Sequence, residues 1–225
     1  VMDIKEAPNG DIYVCGWFDS AGNVPGTHMI ARWSKVNQTW EGLGVTVGGG
    51  ETEYGIDCMA FDASGNLYVG GHFLNIAGVT NASHIAKYTV SSQIWSAVGT
   101  SISDPSFPSI SSIEIAPNGT IYIGGTFNSA GGNSNCINIA YFDKVANNWR
   151  PLLSGLNGYV NILKFAPDGK LLIGGNFTNA DGTNGDYICW WDGSAFKSFT
   201  GLGAIELNAQ INSIDINPTG TIIIG

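Results

Sequence analysis

Charge is what this sequence has least of. Only 12% of its 225 residues are charged, and nine lysines and arginines stand singly against 18 acids, for a formal net charge of −9. No basic stripe exists to displace counterions from a phosphate backbone, which excludes nucleic-acid binding. No apolar run reaches the roughly 18–20 residues that cross a bilayer, so no membrane span is expected in this segment. The opening "VMDIKEAPNG" lacks the apolar stretch of a secretory signal and begins on Val1, so the chain is expected to be a mature form or a fragment. Cys15, Cys58, Cys136 and Cys189 form no CxxC pair and have no histidine at zinc-ligand spacing; they read as small buried hydrophobes.

The 32 glycines are what the sequence has in place of charge. Apolar residues come in short bursts separated by Gly, Asn, Ser and Thr, the profile of an all-β chain with many turns. The turns repeat. "APNG", "DASG", "APNG", "APDG" and "NPTG" end on Gly10, Gly65, Gly119, Gly169 and Gly220, at steps of 55, 54, 50 and 51 residues. Pro presets φ, Asn or Asp bonds the local backbone and Gly takes the positive φ, so each is a hairpin turn. Periods of this length belong to solenoids and propellers.

The strand before each turn alternates, as in Met59 and Phe61, Ile113 and Ile115, Leu163 and Phe165, Ile214 and Ile216, which marks a half-buried strand. The first repeat departs by placing Glu6 where the others are apolar. After the turn come "IYV", "LYV", "IYI", "LLI" and "III", runs that suggest burial on both faces. Gly70–Gly71, Gly124–Gly125 and Gly174–Gly175 follow, with Cys15–Gly16 as the variant; such doublets allow a close approach of backbones or of a neighbouring sheet. "IARW", "IAKY", "IAYF" and "ICWW" then set Trp33, Tyr88, Phe142 and Trp191 in equivalent places, followed by Trp40, Trp95, Trp149 and Phe196. Each unit yields four strands, a to d. Four antiparallel strands do not bury both faces alone, so units pack on one another, and radial stacking is the economical way. Units are expected at about 1–55, 56–109, 110–159 and 160–210, with 211–225 holding strands a and b of a fifth; further blades, or other copies of the chain, are expected to complete a ring.

A glycine doublet closing strand b, an aromatic in strand c and a Trp seven residues on resembles the kelch-type β-propeller, with glycine-to-aromatic spacings of 17, 17, 17 and 16. The fuller wording, as in "GGNFTNADGTNGDYICWWDGSAF", is similar to propeller repeats of Rax2-type fungal cell-surface proteins and of bacterial surface and phage tail proteins. The "PNG" hairpin is not part of the usual kelch signature and is closer to NHL and SMP-30-like propellers. The resemblance implies an all-β propeller of four-stranded blades on an extracellular, cell-surface or virion protein, in adhesion or tail-fibre roles.

No catalytic constellation converges. His28, His72 and His84 occupy non-equivalent repeat positions, and neither a GxSxG elbow nor a Ser/His/Asp set can be assembled. "DGTNGD", Asp181 to Asp186, carries oxygen ligands and glycines suited to calcium but does not follow the EF-hand spacing; it reads as a polar loop, and no cofactor or metal is expected. Residues repeated once per unit read as scaffold: Phe18, Phe73, Phe127 and Phe177 after the doublet, and Ala21, Ala77, Ala130 and Ala180 beyond them. Variation inside that frame points to partners. Trp17, His72, Thr126 and Asn176 share one position, and Trp190 is an extra aromatic beside Trp191. With Asp19, Tyr54, Phe107, Asp186 and Tyr187 they form the candidate ligand-binding set on the face where b–c and d–a loops emerge. The diverse loops at 45–55, 100–109 and 203–210 lie on that face too. The expected function is non-enzymatic binding of a protein or glycan. The alternatives are a lectin, with exposed aromatics stacking on sugars, or a propeller enzyme of the galactose-oxidase or lyase kind. Sequons at Asn37, Asn81, Asn118 and Asn176 are compatible with secretion.

Overall fold

The computed structural model describes residues 1–45, 55–100, 102–104, 106–180, 187–199, 207–217 and 219–225. Among them there is no helix, and so none long and apolar enough to cross a membrane. The chain divides into two compact units, residues 1–102 and 103–225.

Unit 1 holds two four-stranded antiparallel sheets in sequential order. The first runs β1 (Asp3–Glu6), β2 (Ile12–Cys15), β3 (Ile30–Ser34) and β4 (Thr39–Gly42); the second runs β5 (Ile56–Phe61), β6 (Leu67–Gly71), β7 (Ile85–Thr89) and β8 (Ile94–Ala97). Between the units' main sheets comes the two-residue strand β9 (Ile102–Ser103). In unit 2 a third sheet has the order β10 (Ser109–Ile115), β11 (Ile121–Thr126), β13 (Ile139–Asp143), β14 (Asn148–Pro151), with a short β12 (Ser129–Ala130) in its loop. The fourth sheet runs β15 (Val160–Phe165), β16 (Leu171–Gly175), β17 (Ile188–Trp191), β18 (Phe196–Lys197), and the hairpin β19 (Ile214–Ile216) with β20 (Ile222–Ile224) follows. The all-β expectation and the four-stranded antiparallel sheets are both observed.

The five turns share one hydrogen-bond pattern. Gly10, Gly65, Gly119, Gly169 and Gly220 donate their N–H to the carbonyls of Ala7, Asp62, Ala116, Ala166 and Asn217 at 2.7–2.9 Å, and all five have φ of 77–85°. Only glycine takes that conformation without strain, so the periodic glycine is required by the turn. The doublets have two different causes. A Cβ on Gly71, Gly125 or Gly175 would collide with the carbonyl of Gly55, Ser109 or Tyr159, at the start of or just before the adjoining strand of its own sheet. A Cβ on Gly124 would meet Val160 of the next sheet in unit 2, and one on Gly174 would lie 2.7 Å from Cγ2 of Ile211, in the segment that leads into β19.

The aromatics of strands c and d sit directly across from each other. Trp33 faces Trp40, Tyr88 faces Trp95, Phe142 faces Trp149 and Trp191 faces Phe196, with ring centroids 4.9–5.4 Å apart. Such cross-strand aromatic pairs stabilise the outer strands by about 0.2–1 kcal/mol each. One core joins Tyr13, Cys15 and Ile30 of the first sheet to Met59, Leu67 and Val69 of the second; another joins Ile139 and Leu152 to Leu163, Ile173 and Trp191 in unit 2. The cysteines are buried, as expected of small hydrophobes, and burial pushes their thiols upward, that of Cys136 to about 11.

One expected equivalence is corrected. The scaffold position shared with Ala21, Ala130 and Ala180 belongs to Ile76 and not Ala77. Ala21, Ile76 and Ala130 each accept an N–H from the third residue on (Val24, Val79 and Asn133), and Ile76, Ala130 and Ala180 are fully buried. Spacing agrees: Ile76 follows Phe73 by three residues, as Ala21, Ala130 and Ala180 follow Phe18, Phe127 and Phe177, whereas Ala77 follows by four.

Candidate functional site

Strand a carries a bulge at the end where the b–c and d–a loops emerge. Its register slips between Ile56 and Cys58, Ile110 and Ser112, and Val160 and Ile162, leaving Asp57, Ser111 and Asn161 as the extra residues. A bulge breaks the period of two and re-aims a side chain. Opposite it, the residue after the doublet is tied down: the N–H of His72 and of Asn176 reaches the carbonyls of Gly55 and Tyr159 at 3.0 Å.

A second feature repeats at the start of strand c. Met29, His84, Asn138 and Tyr187 all have φ of 60–64°, none being glycine. Each donates its N–H to the carbonyl of Phe18, Phe73, Phe127 or Phe177 and accepts from the last glycine of strand b. Two hydrogen bonds at this one residue hold a left-handed conformation that an L-residue rarely adopts. No glycine marks the position, so it left no trace in the sequence.

In unit 1 these devices converge on a cluster of three side chains. The Trp17 indole N–H donates to Asp57 Oδ1 at 3.3 Å, and His72 Nδ1 lies 2.7 Å from Asp57 Oδ2. The two rings stand edge to face with centroids 6.5 Å apart. Trp17 also lies against Gly55, where any Cβ would collide with its indole nitrogen. Yet Trp17 is 53% exposed, whereas the Asp57 side chain is only 10% exposed. A large aromatic is therefore kept in solvent and fixed in orientation by a nearly buried carboxylate. Asp19, two residues along the same loop, has a fully exposed carboxylate 4.0 Å from His28 Nε2.

The remaining expected positions divide. Thr126 ends β11 opposite Ser109, and Asn176 and Tyr187 flank the loop end of the fourth sheet. Asn176 Oδ1 is buried without a hydrogen-bond partner among the described residues. Phe107 is 72% exposed in unit 2. Trp190 is corrected: its register partners are Leu172 and Lys197, two residues back from the loop end, and Lys170 Nζ sits 4.6 Å over its ring. It belongs with the Pro167–Gly169 turn at the other end of the sheet, lining a cavity of about 350 Å³ with Ala166, Pro167 and Phe199. Tyr54 and Asp186, with all of Asp181 to Asp186, residues 46–54 of the loop at 45–55 and residues 203–206 of the loop at 203–210, lie outside the described residues. Asp57 was missed by sequence reasoning, although polar residues at the equivalent places Ser111, Asn161 and Asn212 were a usable signal. Among the described residues no group of three or more His, Cys, Asp or Glu converges as metal ligands would.

Repeated four-stranded antiparallel sheets packed strand a beside strand a define a β-propeller. Residues 102–216, just over half of the chain, match the Rax2 C-terminal beta propeller domain, and the chain belongs to that family. No curated protein matches it in sequence. Among solved structures it is similar to virginiamycin B lyase from Staphylococcus aureus, with a TM-score of 0.63 at 13% identity over 98% of this chain and 61% of the lyase. It is also similar to the extracellular domain of a protein assigned to the hybrid two-component systems of B. thetaiotaomicron, with a TM-score of 0.60 at 18% identity over 100% of this chain and 25% of the other. A third is YCF48 bound to D1 peptide, with a TM-score of 0.53 at 16% identity over 96% of this chain and 58% of YCF48. The chain spans less than two thirds of the length of each, and at these identities the likeness is one of fold. The neighbours thus include both an enzyme and an extracellular domain.

Proposed function

We propose that this propeller is a non-enzymatic interaction module of an extracellular or surface protein, which binds a protein or a glycan through the end of the sheets where the b–c and d–a loops emerge. The observation that carries the reading is Trp17: a solvent-facing indole held in place by Asp57 and Gly55 beside His72. Exposed aromatics with fixed orientation bind at low entropic cost, and loops on a rigid scaffold are where recognition concentrates. The variable residues Thr126, Asn176, Tyr187 and Phe107 extend the same logic to unit 2. The likeness to an extracellular bacterial domain supports the location, and the match to the Rax2 C-terminal beta propeller domain is in keeping with the resemblance the repeats carry.

The Asp57–His72 pair is the one observation that favours a propeller enzyme, since a carboxylate-oriented imidazole is a general base in many sites. A base alone makes no reaction, and the same pair fixes Trp17, which a binding role explains without further parts. The test is to screen the chain against a glycan array and a displayed-peptide library. The binding reading predicts ligands whose retention falls in Trp17→Ala and is unchanged in Val36→Ala, an exposed residue of the β3–β4 turn. Silence in both screens, or ligands indifferent to Trp17, would remove it.

A further inference from the structure

We propose that Trp17, Asp57 and His72 form a subsite for a neutral sugar ring, an inference that rests on reading this end of unit 1 as a recognition surface. The argument follows from where the hydrogens lie. A carboxylate only accepts, so the close contact between Asp57 Oδ2 and His72 Nδ1 places the imidazole hydrogen on Nδ1. In the neutral imidazole His72 Nε2 is then a lone-pair acceptor, and it has no hydrogen-bond partner among the described residues. The indole N–H of Trp17 is already donated to Asp57 Oδ1, so Trp17 offers its apolar ring and no donor. The cluster therefore presents a flat apolar platform next to an outward-facing acceptor.

Three ligand classes meet that arrangement differently. A cationic side chain could lie on the indole face, but both oxygens of Asp57 are engaged in a side chain that is nearly buried, so the cluster itself offers that cation no open carboxylate. An apolar peptide side chain would cover the partly exposed His72 Nε2, strip it of water and leave it unpaired. A pyranose supplies both complements: a face of C–H groups to lie on the indole and equatorial hydroxyls to donate to Nε2. The Asp19 carboxylate, exposed two residues along the loop, is a second acceptor for hydroxyls. Gly55 under the indole removes the rotamer freedom that binding would otherwise have to freeze.

The experiment is ligand-observed saturation-transfer NMR with titration, using neutral oligosaccharides of glucose, mannose, galactose and N-acetylglucosamine as probes. At least one is expected to bind, with affinity reduced about tenfold or more in Trp17→Ala and in His72→Ala, the loss of one stacking or one hydrogen-bond contact. Trp17→Tyr keeps a platform and is expected to recover part of the affinity, which separates lost stacking from misfolding. Asp57→Asn tests the hydrogen placement: the imidazole hydrogen moves to Nε2, the ¹⁵N shifts of His72 exchange character, and affinity falls although the shape is kept. Sugar binding unchanged in both Trp17→Ala and His72→Ala overturns the proposal. So does a chain that binds no sugar but does bind a peptide through Trp17, an outcome that leaves the wider recognition reading standing. Binding of neither class overturns both.

Discussion

Ser112→Ala isolates one inter-sheet link. Strand a is the free edge of its sheet, so alternate N–H groups along it have no ladder partner. In unit 2 the outward N–H of Leu163 donates to Ser112 Oγ at 3.0 Å across to the third sheet, and in unit 1 the equivalent N–H of Met59 donates to Asp3 Oδ2 at 2.9 Å. Ser112 is 5% exposed and Leu163 is 1% exposed, so water cannot replace the lost oxygen. Stranding a buried N–H costs about 1–3 kcal/mol, whereas a surface Ser→Ala change stays within about 0.5 kcal/mol. In a chain of this size each kcal/mol lowers Tm by roughly 2–4 °C. Thermal unfolding should show that drop for Ser112→Ala and little change for Ser112→Thr, which keeps the oxygen. Amide exchange at Leu163 should accelerate in the alanine variant alone. An alanine variant with wild-type Tm and an equally protected Leu163 amide would refute the link.

Three further outcomes follow from the same geometry. Gly125→Ala puts a Cβ against the Ser109 carbonyl, a backbone atom that cannot rotate away, and should destabilise unit 2 by about 1–3 kcal/mol; Gly174→Ala meets side chains alone, those of Ile211 and Ile162, and should cost less in the same denaturant titration. His84 is buried, and burial lowers its pKa, opposed by its hydrogen bond to the Gly71 carbonyl and aided by His72. Because the folded state releases its proton more readily than the unfolded one, stability should fall as pH drops below about 6.5 toward the lower folded value, by less than about 1.4 kcal/mol per pH unit for this one proton. His84→Asn, which tolerates φ near 62°, should flatten that part of the pH–stability curve. The four cysteines, buried with raised pKa, should resist iodoacetamide in the native protein at pH 7.5 and all react in denaturant; rapid native labelling would contradict their burial.

The scaffold was legible because its requirements recur with one chemical solution. The turn needs positive φ at Gly119 and its equivalents, the sheet needs no Cβ at Gly125, and the outer strands need facing rings such as Phe142 and Trp149, so each repeat spells them alike. The site was legible only in outline. Trp17 and His72 drew notice as different residues in one frame position, but their partner Asp57 sits in a bulge, where alternation fails and side-chain direction cannot be counted along the strand. Trp190 shows the converse: the period of two sets it on the other face from Trp191, yet which end of the sheet it occupies depends on register with Leu172, which no local pattern reveals. The left-handed residues Met29, His84, Asn138 and Tyr187 were invisible because hydrogen bonds from distant residues, and not glycine, hold them.

The division of labour between the two ends of the sheets is the central claim, and a paired alanine scan tests it most directly. Trp17, His72, Thr126 and Tyr187 at the loop end, and Lys170 and Trp190 at the turn end, would each be measured for Tm and for retention of the ligands found in the screens. The account predicts that Trp17→Ala and His72→Ala lower retention, by about tenfold or more in affinity, with Tm close to wild type, while Lys170→Ala and Trp190→Ala leave retention intact. Retention lost at the turn end and preserved at Trp17 would contradict it.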